Sequence, residues 1–357
     1  MAVTNDLMTD RRVKRHAATL REAGYDVLLI GRNDLKLKHR RHWQFYAEYN
    51  WRLLWRLLRE GMDIVWANDT DTLPACWMAA RLRRKKLVMD SHEIFPEVPE
   101  LVDRHRVKRV WERIEDFLLP RCDANLTVCH SVADYYLRRY GVEMAVVRNI
   151  SAKPRTEYPV ADEGLLPASP LATLLYQGAV NKGRGVDWAI DALEMLTDCR
   201  LVVAGVGDLY DETRAYAEGK PWCDRIVFLG RLAPERLEAL TPMARVGLVM
   251  LEDMGLNYHF SLPNRIGDFV AAGVPMVVSD LPEMAAVVRR FGVGEVIDKE
   301  KDKVQGLVEA VRRVMDRKWE DSDFDEARRD MDWQREKEKL LAVADKVSIK
   351  RKTEKER

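Results

Sequence analysis

The stretch ATLLYQGAVNKGRGVDWAIDAL, Ala172–Leu193, decides the fold of this chain. It begins as a short apolar run typical of a buried strand and ends with the apolar spacing of a helix. Lys182, Gly183, Arg184 and Gly185 lie in the loop between them. A strand that passes through a glycine-containing loop directly into a helix is the unit from which a parallel α/β sheet is built.

That loop is also a candidate site for an anion. Glycines let the backbone approach a ligand closely, and a helix N-terminus adds about half a positive charge beside Lys182 and Arg184. Gly178, which ends the strand, opens the same loop. The alternative is an ordinary strand-to-helix turn with solvated charges, and the loop alone does not decide between the two.

The same alternation of strand and helix runs twice through the 357 residues. Strands are predicted in the first half at 27–30, 63–67, 86–90, 125–128 and 145–149, and in the second half at 172–178, 200–205, 225–230, 246–251, 275–280 and 294–297. Because these runs are apolar throughout, they indicate parallel sheets covered by helices on both faces. The predicted class is α/β, with two doubly wound, Rossmann-like domains facing across a cleft.

A polar, proline-rich segment at 151–170 is predicted to link the two halves. We predict a first domain at 1–160 and a second at 161–330. A charged helix at 331–347 has the first domain as a candidate packing partner, and a basic tail at 348–357 is expected to be disordered. In such folds, ligands bind outside the carboxyl ends of the strands, so the candidate site lies there.

A second stretch, FSLPNRIGDFVAAGVPMVVSD from Phe260 to Asp280, ends at the same edge of the second sheet. It predicts a helix opened by Ser261 and Pro263 and closed at Gly273, followed by a strand. The unpaired amides of that helix, from Leu262 to Asn264, are predicted to point into the cleft.

Asn264 and Asp268 lie one turn apart and therefore on one face of this helix. Two helix N-termini together with Lys182 and Arg184 suit a diphosphate, and Asp268 is placed to accept hydrogen bonds from two hydroxyls, as on a ribose. The alternative is an ion pair between Asp268 and Arg265. The whole set favours a nucleoside-diphosphate site.

Two further groups are candidates for weaker reasons. Gly205 and Gly207 lack the third glycine of a dinucleotide fingerprint, so they indicate a tight turn near a nucleotide base rather than an NAD site. His92 and Glu93 follow a strand of the first domain and are candidate catalytic residues at the cleft. A histidine satisfied by neighbouring backbone is an equally good interpretation of His92.

Other features exclude whole classes of function. The net charge of +1 argues against a nucleic-acid partner, and five cysteines without a CxxC pair argue for a reducing cytosol and against a zinc site. The Asp-x-Asp within Asn68–Thr72 resembles a manganese motif, but it precedes Pro74, so helix capping is the better interpretation. We expect no metal. No run is long enough to span a membrane, which predicts a cytoplasmic protein, either free or peripheral on the inner face of the membrane.

The segment at 40–58 leaves two interpretations open. It interleaves Trp43, Trp51 and Trp55 with arginines, and from Arg32 to Arg59 there are eight Lys and Arg against two Asp and Glu. A core helix with snorkelling arginines is favoured, and peripheral contact with an anionic membrane is the alternative.

Five stretches of this chain, taken in order, resemble the family-4 glycosyltransferases of GT-B fold, which are bacterial enzymes of surface-polysaccharide synthesis. They begin VTNDLMTDRR, ANDTDTLPA, LVMDSHEIFPE, YQGAVNKGRG and SLPNRIGDFVAAG. The resemblance implies retaining, metal-independent transfer of a sugar from a UDP- or GDP-linked donor to a saccharide or lipid-linked acceptor. The first domain would then be the acceptor side, and the second would hold the donor.

The resemblance also assigns roles to residues. Arg184 matches the family's diphosphate-binding cation, Asp268 falls where the family has a ribose-binding glutamate, and His92 falls near the reacting sugar. The chain departs from the family at Ala179, where many relatives have arginine, and at Phe260, where many have an acidic residue. Because of these departures, a non-catalytic binding partner of GT-B fold stays open as an alternative. A second alternative is a sugar-nucleotide epimerase of the same fold, which would need paired acid and base residues such as His92 and Glu93.

Overall fold

A computed structural model describes residues 1–5, 7, 10–39, 42–98, 101, 104–150 and 163–348. The chain divides into two compact units. The first comprises Met1–Asn149, Gly255–Asn257 and Gln334–Arg357, and the second comprises Ile150–Met254 and Tyr258–Trp333. The sequence had placed the boundary at residue 160. Most of the predicted linker and all but the first residue of the predicted tail lie outside the described residues.

Strands and helices alternate along the chain as the sequence predicts. The helices are α1 (Arg11–Glu22), α2 (His42–Arg59), α3 (Leu73–Arg83), α4 (His105–Leu118), α5 (His130–Tyr140), α6 (Val186–Ala192), α7 (Tyr210–Glu218), α8 (Pro234–Leu240), α9 (Leu256–His259), α10 (Arg265–Ala272), α11 (Pro282–Phe291), α12 (Lys303–Asp316), α13 (Asp325–Asp330) and α14 (Trp333–Val347). The strands are β1 (Ile64–Asn68), β2 (Lys86–Ser91), β3 (Ala124–Thr127), β4 (Ala145–Val146), β5 (Ala172–Gln177), β6 (Cys199–Ala204), β7 (Ile226–Gly230), β8 (Val246–Val249), β9 (Met276–Val278) and β10 (Gly294–Val296).

The sheet of the first unit has the order β1-β2-β3-β4, and every pairing in it is parallel. The predicted strand at 27–30 is wrong, since only Ile30 pairs, through an isolated bridge to Ala2. Ala2 in turn bridges to Ala67 of β1. The physical reason is that the backbone of Ile30 bonds only to the short segment Met1–Val3 among the described residues, and Leu28 remains exposed.

The sheet of the second unit is also parallel, with the order β10-β9-β8-β5-β6-β7. Chain order reverses between β5 and β8, which makes that position the topological switch point of a doubly wound sheet. Ligands of this architecture bind at the carboxyl ends of the strands at such a point. The predicted α/β class is therefore confirmed, and the loops after β5 and β8 are where a site is expected.

Packing against β8 fixes α10 beside that point. Phe269 is fully buried, and a Cβ built on Gly247 of β8 would lie 2.7 Å from its ring. Only glycine therefore lets the helix lie this close to the sheet. The helix ends at Gly273, whose φ of 69° is left-handed, as the sequence predicts for a helix C-terminus.

The last helix, α14, belongs to the first unit. Its Glu336 is fully buried and pairs with Arg148, with Oε1 2.9 Å from Nη2. The other carboxylate oxygen, Oε2, accepts the backbone N–H of Arg148 at 2.8 Å. Through this pair the helix is fixed against the residues that follow β4.

Candidate functional site

The loop Gly178–Gly185, here called the glycine loop, follows β5 at the switch point. Its Gly183 carbonyl accepts the backbone N–H of Glu252, in the loop after β8, at 2.9 Å. A Cβ on Gly183 would lie 2.5 Å from the Met254 sulfur, and the φ of Gly183 is 74°. The two loops can lie this close because residue 183 has no side chain.

Arg184 is held in this loop by an aromatic ring. Its guanidinium carbon lies 4.9 Å from the ring centre of Tyr258, and its buried Nε has no hydrogen-bond partner among the described residues. The Tyr258 hydroxyl donates to the backbone oxygen of Lys182 at 3.3 Å, while the Lys182 residue itself is exposed. Arg184 is thus a positioned cation that keeps unused hydrogen-bonding capacity.

Gln177, the last residue of β5, organises the other side of the site. Its buried side chain accepts the Thr241 hydroxyl at 3.0 Å and donates to Oδ2 of Asp268 at 3.3 Å. Its backbone oxygen accepts Nη1 of Arg265 at 2.9 Å. The alternative ion pair between Arg265 and Asp268 is not formed, because one glutamine holds the two side chains through separate atoms.

Sequence reasoning missed Gln177, Thr241 and the use of Arg265. The available signal was a glutamine that ends an otherwise apolar, buried strand. A buried amide needs hydrogen-bond partners, and in a parallel sheet its position at the carboxyl end points to the site. The partners themselves lie 64 to 91 residues away, so no local pattern identifies them.

The helix that carries Asp268 begins later than predicted. It starts at Arg265 rather than near Ser261, because Pro263 disfavours a helical backbone at the residue before it. Asn264 is the exposed N-cap, its side chain makes no capping bond, and its carbonyl accepts the N–H of Asp268 at 3.2 Å. Leu262, ahead of the helix, packs its side chain against the hydrophobic core.

Gly205 and Gly207 hold the loop after β6 against the glycine loop. A Cβ on Gly205 would lie 1.8 Å from the carbonyl oxygen of Gly178, and the φ of Gly205 is 151°. A Cβ on Gly207 would lie 2.2 Å from Oδ1 of Asn181. Close contact between two loops therefore accounts for both glycines within the fold itself.

The first unit carries a buried cluster of charges at the carboxyl ends of β1 and β2. Asp90 pairs with Arg12, Oδ1 to Nη2, at 2.6 Å and with Nδ1 of His16 at 3.0 Å. His92 lies beside it, with Nε2 3.7 Å from Oδ2 of Asp90. Asp69 accepts the backbone N–H of His92 at 2.8 Å, and its Oδ2 lies 3.2 Å from Nδ1 of the same residue.

The cluster sets the protonation of its histidines in opposite directions. Burial lowers the pKa of His92, but the carboxylates of Asp69 and Asp90 outweigh burial and raise it to about 10. Burial and the Arg12 charge lower the pKa of His16 to about 4. Arg12 and the histidines hold the pKa of Asp90 well below its usual range against the opposing effect of burial. At neutral pH His92 is therefore an imidazolium, which donates hydrogen bonds and does not accept protons.

The capping interpretation of Asn68–Thr72 is confirmed for the position of Thr72, with Pro74 in the first turn of α3, but not for a capping bond from its side chain. Thr72 is the N-cap of α3, but its side chain makes no capping bond and donates instead to the carbonyl of Asn68 at 2.9 Å. Asp71 is buried and accepts the Thr4 hydroxyl at 2.6 Å, and burial together with the Asp69 charge raises its pKa to about 8. No group of three metal-ligating side chains is found within the described ranges.

Glu93 is held by a residue that sequence reasoning missed. Its Oε2 accepts the side-chain amide of Asn257 at 3.0 Å, and the Asn257 oxygen accepts the backbone N–H of Ile94 at 3.2 Å. Asn257 belongs to the short segment Gly255–Asn257 of the first unit, which the second unit's Ile150–Met254 and Tyr258–Trp333 flank in sequence. Its distance along the chain explains why no motif indicated it.

Helix α2 presents two contrasting faces. Tyr49, Leu53 and Leu57 are buried, whereas Trp43, Trp51 and Trp55 are 74%, 61% and 44% exposed. The favoured interpretation as a core helix therefore describes one face only. The three tryptophans form an exposed surface, here called the tryptophan face. Within the part of the chain that the structure describes, no helix combines the length and the apolar character that crossing a bilayer requires.

Two family models match the chain one after the other. The model described as Glycosyltransferase Family 4 matches residues 9–150, and the one described as Glycosyl transferases group 1 matches residues 172–317. A search of curated proteins finds no significant match.

Solved structures show the same architecture at low identity. The glycosyltransferase WaaG, involved in lipopolysaccharide biosynthesis, is 18% identical with a TM-score of 0.66, over 97% of this chain and 98% of WaaG. The lipopolysaccharide outer core galactosyltransferase WaaB is 14% identical with a TM-score of 0.67, over 96% and 97%. HepE from Anabaena, solved in complex with UDP, is 12% identical with a TM-score of 0.61, over 92% and 87%. These likenesses establish the fold that the motifs indicated.

Proposed function

The chain belongs to the family-4, group-1 glycosyltransferases of GT-B fold, and from that membership we propose a specific reaction. It transfers a sugar, with retention at the anomeric carbon, from a UDP- or GDP-linked donor to a saccharide or lipid-linked acceptor. The reaction serves the synthesis of a cell-surface polysaccharide. The donor binds the second unit, and His92 of the first unit acts on the acceptor side.

One observation carries the donor assignment: a carboxylate and a cation are both held in fixed positions at the switch point, the first by Gln177 and the second in the glycine loop. Asp268, fixed by Gln177, supplies a carboxylate for ribose hydroxyls, and Arg184 supplies a cation for the diphosphate. A carboxylate and an arginine with an unused N–H at this edge of a doubly wound sheet suit a nucleoside diphosphate. That HepE was solved with UDP supports the same class of ligand.

The charges proposed for this site account for catalysis without a metal. As the glycosidic bond breaks, negative charge accumulates on the leaving diphosphate, and a cation fixed beforehand stabilises that charge in the transition state. Loss of one such donor commonly costs about 2.7–4 kcal/mol of activation free energy. Arg184 suits the role of this cation because its contact with the Tyr258 ring fixes its position before the ligand binds.

His92 favours transfer over epimerisation. A proton-abstracting epimerase needs a base, and a histidine whose pKa is raised to about 10 by two carboxylates is protonated at neutral pH. The imidazolium can instead donate a hydrogen bond to a substrate oxygen and carry part of the charge of the reaction. His92 therefore acts as a hydrogen-bond donor in the proposed reaction.

We also propose that the tryptophan face brings the enzyme to an anionic membrane surface from the cytoplasmic side. Trp51 and Trp55 share a groove with four basic side chains and one acidic one, namely Lys36, Arg52, Arg56, Arg59 and Asp34. Indole rings flanked by cations are typical of proteins that rest in a lipid headgroup region. A lipid-linked acceptor would be presented at such a surface.

Vesicle sedimentation tests this contact. The chain is expected to sediment with vesicles that contain phosphatidylglycerol and much less with pure phosphatidylcholine, and the double variant Trp51→Ser, Trp55→Ser loses this binding. Leu82→Ser, which removes an exposed apolar side chain of the same unit, is the matched control and keeps it. Equal behaviour of wild type and the tryptophan variant contradicts the proposal.

Thermal unfolding with nucleotides tests the donor site. UDP, GDP, ADP and their sugar conjugates are each added to wild type, Asp268→Ala and Arg184→Ala. A ligand at a hundred times its dissociation constant adds about 2.7 kcal/mol to the free energy of unfolding, a clear shift in Tm. One nucleotide is expected to shift wild type and neither variant. If no nucleotide shifts wild type, the non-catalytic binding partner becomes the better account.

A further inference from the structure

Arg265, the first residue of α10, is a buried cation that the assigned roles leave unused. It is 6% exposed, and its Nη1 donates to the backbone oxygen of Gln177 at 2.9 Å. Its Nε and Nη2 have no hydrogen-bond partner among the described residues. A guanidinium removed from water without a carboxylate to neutralise it is costly, which indicates that an anion from outside the chain completes it.

The surroundings of Arg265 show where that anion would lie. The guanidinium carbon lies 4.9 Å from the ring centre of Tyr176, and a Cβ built on Gly178 would lie 3.0 Å from Nη1. Gly178 is exposed and its φ is 134°, so the backbone there is open to solvent and free of a side chain. Arg265 therefore lies under the start of the glycine loop, at the carboxyl end of β5.

Arg184 and Arg265 share one arrangement. Each guanidinium stacks on a tyrosine ring, and each has at least one buried N–H without a partner in the described structure. Both belong to the switch point, Arg184 in the loop after β5 and Arg265 through its bond to the last residue of β5. Arginine forks match the geometry of phosphate oxygens, and ring stacking fixes them in advance.

We propose that Arg265 is a second diphosphate-binding cation of this chain, acting with Arg184. The inference rests on the proposed function for the identity of the ligand, but the site itself is an anion site and can be tested without a nucleotide. Gln177 is its positioning residue, because the backbone oxygen of Gln177 orients the guanidinium while its side chain orients Asp268.

The experiment measures binding of three probes by titration calorimetry: inorganic pyrophosphate, the nucleoside diphosphates UDP and GDP, and the corresponding nucleosides. Arg265→Gln is expected to weaken pyrophosphate and nucleoside-diphosphate binding by about 10- to 100-fold, as expected for a lost hydrogen bond to a charged group. Nucleoside binding is expected to stay within about twofold of wild type, because uridine and guanosine carry no phosphate. Unchanged nucleoside binding also shows that the variant is folded.

Arg200→Gln is the matched control in the same unit. Arg200 is also buried, but its Nε donates to the Thr173 hydroxyl at 2.9 Å and its Nη1 to the Pro167 carbonyl at 2.6 Å. Its loss is expected to lower the Tm and leave pyrophosphate affinity unchanged. Arg265→Lys, which keeps the charge, is expected to bind pyrophosphate more tightly than Arg265→Gln.

Two results overturn the inference: pyrophosphate affinity unchanged in Arg265→Gln, or an equal loss for diphosphates and nucleosides, which would make Arg265 a structural residue. Failure of the proposed function has a different signature. In that case wild type binds pyrophosphate, and no nucleotide binds more tightly than pyrophosphate does. Arg265→Gln still binds pyrophosphate more weakly than wild type.

Discussion

Asp69→Asn isolates the charge that keeps His92 protonated. Asp69 adopts a left-handed backbone with a φ of 62°, and asparagine tolerates this conformation as well as aspartate does. The amide oxygen can still accept the backbone N–H of His92, which now bonds to the carboxylate at 2.8 Å. The substitution therefore removes one negative charge and, at the position of Oδ2, also the acceptor that lies 3.2 Å from Nδ1 of His92, and both losses lower the pKa of the ring.

The size of the effect follows from the cluster. His92 has a pKa of about 10 against an ordinary value of 6.5, and the two carboxylates share the task of raising it. An opposite charge at this distance typically shifts a pKa by about 1–3 units, so Asp69→Asn is expected to lower the pKa of His92 by that amount. One unit corresponds to about 1.4 kcal/mol, so the variant is less stable by about 1.4–4 kcal/mol at pH 6.

The sign of the pH dependence also follows. A histidine whose pKa is raised in the folded protein stabilises it fully below pH 6.5, and that contribution is lost as the pH rises towards 10. Wild type should therefore lose this contribution across that window, and Asp69→Asn should lose less of it, because its His92 pKa lies closer to the value of the unfolded chain.

Long-range ¹H–¹⁵N NMR of the histidine rings, titrated from pH 5 to 11, measures the pKa directly, and His92→Gln assigns the signal. Asp63→Asn, which removes an exposed carboxylate of the same unit, is the control and is expected to leave the pKa of His92 unchanged. A wild-type His92 that titrates near 6.5, or the same pKa in wild type and Asp69→Asn, refutes the reasoning.

Three further predictions concern stability. Gly205→Ala places a Cβ 1.8 Å from a backbone oxygen of the glycine loop. It is expected to lower the free energy of unfolding, measured in urea, by about 1–3 kcal/mol or more. The control Gly61→Ala has open space around its Cβ and is expected to stay within about 0.5 kcal/mol of wild type. Glu336→Ala removes a fully buried carboxylate that accepts both the backbone N–H and the guanidinium of Arg148, and it is expected to cost about 1.5–3 kcal/mol. The surface pair lost in Lys337→Ala is expected to cost about 0–1 kcal/mol, and equal effects of the two substitutions contradict the assignment. The pKa of Asp71 is raised to about 8 in the folded protein, so its contribution to the free energy of unfolding weakens as the pH rises from 3.8 to 8. Asp71→Asn is therefore expected to flatten that part of the stability–pH curve, and an unchanged slope contradicts the assignment.

The fold was predictable because its signal is repeated. Each apolar run followed by an amphipathic segment is weak evidence alone, but the alternation recurs through both described units and yields two parallel sheets, of which the second reverses chain order as a doubly wound sheet requires. The glycine loop was predictable as a loop for the same reason, since it directly follows a strand that the pattern identifies, whereas the role of Asp268 stays a prediction. Val27–Ile30 failed because a strand needs a neighbouring backbone, which no local pattern shows.

The rest of the site depends on contacts between residues far apart in sequence. Gln177 and Asp268 are 91 residues apart, and Glu93 and Asn257 are 164 apart. At Asp71, local preference indicated a cap, but the side chain bonds to Thr4 inside the first unit instead. The local sequence indicates which conformations and hydrogen bonds a residue favours, whereas the tertiary packing determines which partner its side chain contacts.

The tryptophan face is a similar case. Helical spacing predicts that one side of α2 is apolar, and Tyr49, Leu53 and Leu57 meet that expectation. The opposite side is aromatic as well, so periodicity alone cannot say which side the core covers. The exposed fractions of the side chains distinguish the two sides, and they make the tryptophan face a candidate surface for contact with an anionic membrane.

The central claim is sugar transfer with retention from a nucleoside-diphosphate donor, and NMR of the product tests it most directly. Wild type and Arg184→Ala are incubated with UDP- or GDP-sugars labelled with ¹³C at the anomeric carbon and with a lipid-linked saccharide fraction as acceptor. We predict that wild type moves the label into the acceptor with the donor's anomeric configuration and releases one nucleoside diphosphate per sugar. Arg184→Ala should be slower by about 100-fold or more, the loss expected for one transition-state donor. An inverted anomeric signal, or donor that binds and is never transferred, would contradict the account.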